Sequence, residues 1–277
     1  MTTKRLARAK INLALHVTGQ RTDGYHILDS LVCFADIGDV VSATAANALS
    51  LSVTGPKAAE VPLGGDNLVL KTARCFGASY GAAIELEKHL PAASGIGGGS
   101  ADAAAALHVL AGLWRMDMPD LEAQLALGAD VPVCVASETS RMQGIGEVIT
   151  PVRNMPVFEA VLVNPGAALS TPQVFRALAS KENASLSTLP ANSLRADWVA
   201  YLDGQRNDLE AAAISLAPSV QTVLTALSDQ PECDLVRMSG SGATCFGLFG
   251  RARAAQRAAE ALRLRYPDWW IKETRLG

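Results

Sequence analysis

An α+β fold follows from three features of the chain: strand patterns through residues 1–90, a glycine loop running straight into an alanine-rich helix, and a second half in which helices and strands alternate without regular βαβ spacing. Length alone permits one large domain or two modest ones.

The apolar run at residues 6–15, with Lys10 and Asn12 set inside it, reads as the first strand, and GQRTDGYH after it as a turn cluster. Apolar runs at residues 28–37, 40–45 and 49–53 are interrupted at Gly38 and at Gly55-Pro56; they predict antiparallel strands joined by short turns. Asp66-Asn67 offers an N-cap, and Val69, Ala73, Phe76 and Tyr80 keep helical spacing. Ile84, Leu86 and Leu90 then alternate with Glu85, Glu87 and His89, the pattern of a half-buried strand.

PAASGIGGGSADAAAALHVLAGLW is a loop almost without side chains, with Ser100 at an expected N-cap and Ala104, Leu107, Ala111 and Trp114 on one helical stripe. Beyond residues 151–156, an apolar strand is predicted at 157–163 and a helix with Thr171 as cap before Pro172. Another helix starts at Asn207-Asp208. Strands at 235–238 and 244–249 flank the turn SGSGA, a helix carries Ala255, Ala258, Ala259 and Leu262, and WWIKETRL closes the chain as a strand.

Composition narrows the function. With 277 residues, 49% of them hydrophobic, the chain can bury a sizeable core. A balance of 24 basic against 27 acidic side chains argues against nucleic acid as a partner. Neither a signal peptide nor an apolar run of the roughly 18 residues a membrane span needs is present, so no membrane partner and a cytoplasmic location are expected. The five cysteines form no CxxC pair and read as small buried hydrophobes; the four histidines are dispersed, so no side-chain metal cluster is expected. A monomer and a homodimer fit equally well.

The chemistry starts from the loop. Gly95, Gly97, Gly98 and Gly99 let the backbone approach an anion closely, and the helix that follows adds unpaired N–H groups and the positive end of its dipole. The candidate nucleotide-binding residues are Pro91, Ala92, Ala93, Ser94, Gly95, Ile96, Gly97, Gly98, Gly99, Ser100 and Ala101. A Walker A loop would end in Gly-Lys-Ser/Thr, and a dinucleotide loop would supply a last glycine where Ser100 stands. Neither fits, and a glycine-rich packing turn remains an alternative. If a triphosphate does bind, the cation offsetting its charge must come from elsewhere in the chain.

Three separated segments together resemble the GHMP kinase superfamily: AKINLALHVTGQRTDGYH at residues 9–26, PAASGIGGGSADAAAAL at 91–107 and MSGSGATCFGLF at 238–249. The first resembles in particular the branch acting on a cytidylyl-methylerythritol in the non-mevalonate isoprenoid route. LGADVPVCV at 127–135, NPG at 164–166 and the TPxxF pattern from Thr171 to Phe175 resemble that branch too, whereas Ala92, Ala93 and Ser94 stand where more glycine is usual.

The resemblance implies a two-lobed GHMP-kinase-like fold with the active site between an ATP-binding domain at 1–153 and a substrate domain at 154–277. It implies ATP as phosphoryl donor; Mg²⁺ is expected with it on charge grounds, and Ser100 is a candidate contact. Asp130 would be the catalytic carboxylate; by residue type alone it serves equally as a helix N-cap before Pro132. Lys10 would be its partner; by base rate it would lie on a solvent face. Tyr25 would stack on a cytosine ring, Phe175 would close the other face and His26 would bond the base edge; otherwise Tyr25 and His26 are an ordinary aromatic and a surface histidine. Asn12 and Thr171 would lie near the acceptor. Alternatives are a homoserine- or mevalonate-type kinase, a non-catalytic sensor on the same fold and, more remotely, a dinucleotide oxidoreductase.

Overall fold

The computed structural model describes residues 2–77 and 80–277. The chain forms two compact units interleaved along the sequence: residues 1–10, 37–92 and 97–137 make the first, and residues 11–36, 93–96 and 138–277 the second. Two long strands open the chain, β1 (Thr2–Gln20) and β2 (His26–Ala45), each giving one end to either unit.

In the first unit, residues 37–45 continue β2 without a break. Gly38 stands inside the strand because a Cβ there would lie 2.0 Å from the Ala7 carbonyl oxygen, so the glycine serves a close backbone approach rather than the expected turn. Next come β3 (Ser50–Thr54), α1 (Leu68–Arg74) and β4 (Ala82–Glu87). The strand β3 runs parallel to β4, not antiparallel as expected; α1 lies in the connection and provides the crossover a parallel pair needs. The strand β4 pairs antiparallel with residues 40–45 of β2, and its alternating burial matches its sequence pattern. Asn67 caps α1 by accepting the Val69 N–H at 2.9 Å. That helix ends at Arg74, short of Phe76 and Tyr80, and Gly77 turns the chain at φ 62°.

After the glycine loop comes α2 (Gly98–Trp114), whose alanines at 101 and 103–106 are buried and let other helices approach closely. It packs against α1 and, beyond α3 (Leu121–Leu127), against α4 (Val131–Ala136).

In the second unit, β5 (Ser140–Gly144) pairs with residues 28–32 of β2 and with β6 (Val148–Pro151). Its larger sheet is built from β7 (Phe158–Asn164), β8 (Cys233–Met238), β9 (Cys245–Phe249) and β10 (Trp270–Leu276), antiparallel in the order β10-β7-β9-β8. Between β7 and β8 lie α5 (Thr171–Arg176), α6 (Arg195–Asp203), α7 (Glu210–Leu216) and α8 (Ser219–Ser228); α9 (Ala252–Arg265) precedes β10. Val161 and Val163 of the sheet share one buried core with Val223 and Leu227 of α8 and Ala258 and Leu262 of α9. The predicted α+β class holds.

Candidate active site

The loop's backbone explains its composition. Gly97 adopts φ 63° at the N-cap of α2, which begins at Gly98; Ser100 is therefore the third helical residue, not the cap its residue type suggested. The Ala101 N–H is the first to bond back, to the Gly97 carbonyl at 2.8 Å. The amides of Gly98, Gly99 and Ser100 thus lie outside the helical ladder, at the positive end of a 17-residue helix. Ala93, one of the residues standing where more glycine is usual, holds φ 46°.

Two lysines reach the start of that helix from outside the loop. A Cβ on Gly97 would lie 3.2 Å from Lys10 Cβ and 3.3 Å from its Cε, so the lysine stem runs directly beneath the loop's last turn. Lys10 is 4% exposed and donates to Asp130 Oδ2 at 2.8 Å, while the Asp130 side chain keeps 31% exposure. Asp130 does occupy the N-cap position of α4, but its carboxylate makes no capping bond and is committed to Lys10 instead. Burial, with the Asp130 charge adding to it, pushes the neighbouring Cys134 thiol well up, which leaves it unreactive.

Sequence reasoning missed the second lysine. Lys88 is 3% exposed and donates to Asp39 Oδ2 at 2.5 Å and Asp102 Oδ2 at 2.7 Å; a Cβ on Gly98 would lie 3.3 Å from its Nζ. Burial opposes its charge, but Asp102 and Asp39 outweigh burial and raise its pKa. The signal was available, because Lys88 has the same parity as Ile84, Leu86 and Leu90 and so belongs to the buried face of the alternation.

The remaining candidates fall in the second unit. Asn12 is fully buried, donating from Nδ2 to Ser30 Oγ at 2.8 Å and from its backbone N–H to Ser239 Oγ at 3.0 Å. Ser239 donates in turn to the Gly95 carbonyl at 3.0 Å, which joins the first and third recognised segments to the middle of the glycine loop. Gly95 and Gly240 make that contact possible: a Cβ on Gly95 would lie 2.4 Å from Ser239 O, and one on Gly240 2.5 Å from Gly95 O.

Tyr25 is 60% exposed. The His26 ring stacks on Phe175 with centroids 4.6 Å apart and planes 24° from parallel. Burial, then Lys181, lowers the His26 pKa and favours a neutral ring. Both His26 Nε2 and Asn12 Oδ1 are buried without a hydrogen-bond partner among the described residues. Thr171 is the first residue of α5 rather than its cap, because Ser170 takes that position, and its hydroxyl lies 2.8 Å from Ser241 Oγ.

Comparison with known proteins identifies the family. Residues 67–141 match the model of the GHMP kinases N terminal domain, and residues 193–268 match that of the GHMP kinases C terminal. A Cereibacter sphaeroides protein named 4-diphosphocytidyl-2-C-methyl-D-erythritol kinase is 56% identical over 277 residues, 99% of each chain. The chain belongs to the GHMP kinases. A crystal structure of 4-(cytidine 5'-diphospho)-2C-methyl-D-erythritol kinase superposes with a TM-score of 0.80 at 32% identity, covering 99% of both chains. Homoserine kinase from Cytophaga hutchinsonii shares the fold alone, at a TM-score of 0.66 and 16% identity over 99% of this chain and 94% of that one.

As a GHMP kinase, the protein is an ATP-dependent small-molecule kinase. Its glycine loop departs from both common nucleotide fingerprints, and the two lysines that lie against Gly97 and Gly98 come from β1 and from the residue after β4. Among the described residues no helix is long and apolar enough to cross a membrane.

Proposed function

We propose that this kinase transfers the γ-phosphoryl of ATP to the 2-hydroxyl of 4-diphosphocytidyl-2-C-methyl-D-erythritol, giving the 2-phosphate and ADP in non-mevalonate isoprenoid precursor synthesis. The observation that carries the chemistry is the 2.8 Å contact of Lys10 with Asp130, with the Lys10 stem against Gly97. In this reading Asp130 orients the acceptor hydroxyl and accepts its proton. Lys10 holds the carboxylate in place through the 2.8 Å ion pair and supplies the positive charge missing from the loop. The amides at the start of α2 hold the phosphates, with residues 91–101 lining the nucleotide.

The acceptor's cytidine end is assigned to Tyr25, His26 and Phe175. Tyr25 offers an exposed ring to stack on, which suits any base, so preference for cytosine must come from hydrogen bonds. The unpartnered Nε2 of His26 supports that role, and the unpartnered Oδ1 of Asn12, with the Thr171 hydroxyl, suits an acceptor rich in hydroxyls. The division near residue 153 belongs to the same proposal and is supported by two family models that fall on either side of it.

Mg²⁺ is expected with the triphosphate, where it would neutralise charge developing on the transferred group. Magnesium keeps much of its hydration and is commonly held by substrate phosphates with one or two protein oxygens. Ser100, at the start of α2, is the candidate protein contact. Steady-state kinetics of Tyr25→Ala test the cytidine assignment. KM for the cytidylyl acceptor should rise about 5- to 160-fold, the equivalent of roughly 1–3 kcal/mol for one stacked base, while KM for ATP stays unchanged. An equal rise in both would overturn it.

A further inference from the structure

We infer that Lys88, Asp39 and Asp102 are positioning residues for phosphoryl transfer, forming an ionic clamp that closes the two ends of the glycine loop on each other. This rests on residues 91–101 being the nucleotide loop. The three side chains come from three places: Asp39 from β2, Lys88 from the residue after β4, and Asp102 from the second turn of α2. All are buried, with exposures of 0%, 3% and 4%.

Their bonds fall on both flanks of the loop. On the entry side, Asp39 Oδ1 accepts the His89 N–H at 2.6 Å and the Leu90 N–H at 2.8 Å, fixing the two residues before Pro91. On the exit side, Lys88 reaches Asp102 at 2.7 Å, so an ion pair spans the whole loop from residue 88 to residue 102. The lysine Nζ also lies where a Cβ on Gly98 would be 3.3 Å away, beneath the first residue of α2.

Ser239 holds the middle of the loop at Gly95 and the Lys10 stem lies against Gly97, and the clamp fixes the two ends that these contacts do not reach. Gly95 and Gly97 hold positive φ and four of the five residues 95–99 are glycine, a composition that in isolation samples many conformations. Amides that must meet a polyphosphate bind best when their geometry is fixed beforehand, and misplacement by about 1 Å is enough to cost about 10²-fold. Lys10 and Lys88 thus divide the work. Lys10 carries the charge tied to the reacting hydroxyl, and Lys88 fixes the backbone that receives the phosphates.

The test compares the unsubstituted protein with Lys88→Met by steady-state kinetics and by hydrogen–deuterium exchange of the amides at 98–101, with and without ADP and magnesium. In the unsubstituted protein the nucleotide should protect those amides. In Lys88→Met they should exchange at least several-fold faster before nucleotide is added, and KM for ATP should rise about 10- to 100-fold, with KM for the acceptor unchanged. Asp102→Asn, which keeps a hydrogen bond to the lysine, should restore most of the ATP affinity that Asp102→Ala loses; that pair also serves if Lys88→Met does not fold. If nucleotide protects the loop but Lys88→Met changes neither exchange nor KM for ATP, the clamp is overturned and the nucleotide-loop reading stands. If nucleotide leaves those amides unprotected in the unsubstituted protein, the loop reading falls and the clamp with it.

Discussion

The Lys10–Asp130 pair is unequally buried, and that inequality predicts an asymmetric response to mutation. Lys10 is 4% exposed and Asp130 31%. Replacing Asp130 with alanine strands an ammonium in the interior, and breaking a buried pair in this way costs about 3–5 kcal/mol of stability. No capping energy is lost besides, since the Asp130 side chain makes no capping bond. Replacing Lys10 with methionine leaves a carboxylate that water already reaches, and methionine can still fill the space against Gly97. Its cost should stay near the surface-pair range of about 1 kcal/mol or less.

Both changes should nevertheless lower kcat by about 10²–10⁴, or about 2.7–5.4 kcal/mol at 1.36 kcal/mol per decade, with ATP binding still measurable. The double variant Lys10→Met/Asp130→Ala should be more stable than Asp130→Ala alone, because no unpaired charge remains. Urea unfolding of the three variants, read beside single-turnover kinetics, makes the comparison. If Lys10→Met destabilises as much as Asp130→Ala, or the double variant is the least stable, the pairing argument is refuted. Near-normal turnover in Asp130→Ala would refute its catalytic role.

The contact between the third segment and the loop predicts a contrast between two glycines. Gly24 (φ 93°) and Gly95 (φ 76°) share a left-handed backbone, so alanine should cost about 1–2 kcal/mol at each. A Cβ at Gly24 meets nothing within 4 Å, whereas at Gly95 it meets Ser239 O at 2.4 Å and Gly242 N at 2.6 Å, so Gly95→Ala should lose a further 1–3 kcal/mol, roughly. Equal urea midpoints for the two variants would contradict the packing described. A second expectation concerns pH. Burial lowers the pKa of His16, whose Nδ1 lies 2.9 Å from Ala184 O and whose Nε2 accepts the Arg206 N–H at 3.1 Å, leaving no room for a second ring proton. The unfolded chain then binds the proton more readily, so stability is full above the ordinary value of 6.5 and falls as pH drops below it. Urea midpoints from pH 7.5 to 5 should fall in the parent and more shallowly in His16→Gln; identical slopes would remove His16 from the account.

Much of this was legible in the sequence, for physical reasons that differ by residue. The alternation of 82–87 is a period-2 signal and the apolar run of 158–164 a short continuous one between Pro156 and Pro165, and both are strands. Gly38 misled because a glycine that ends a strand and one that admits a neighbouring backbone look the same until Ala7 is placed against it. The parallel pairing of β3 with β4 depends on a crossover through α1, and local propensity carries no such information. Ser100 lost the cap to Gly97 because a left-handed glycine can end the loop one turn earlier. The partnership of Lys10 with Asp130 spans 120 residues and was reachable only through resemblance, since solvent exposure is the ordinary expectation for an isolated lysine. Lys88 was legible by parity and was hidden by its charge.

The central claim is that a cytidylyl-methylerythritol is the acceptor at a site served by Asp130. A coupled ADP-release assay with an acceptor panel tests it most directly, using the cytidylyl compound, the same methylerythritol phosphate without cytidine, homoserine and mevalonate at equal concentrations. Rapid ADP release with the cytidylyl compound, slowed about 10²–10⁴-fold in Asp130→Ala and at least about 100-fold slower with the other three, in line with removing a recognised group that leaves buried polar partners unmet, is the predicted result. Comparable turnover of homoserine or mevalonate, or of the compound lacking cytidine, would contradict it.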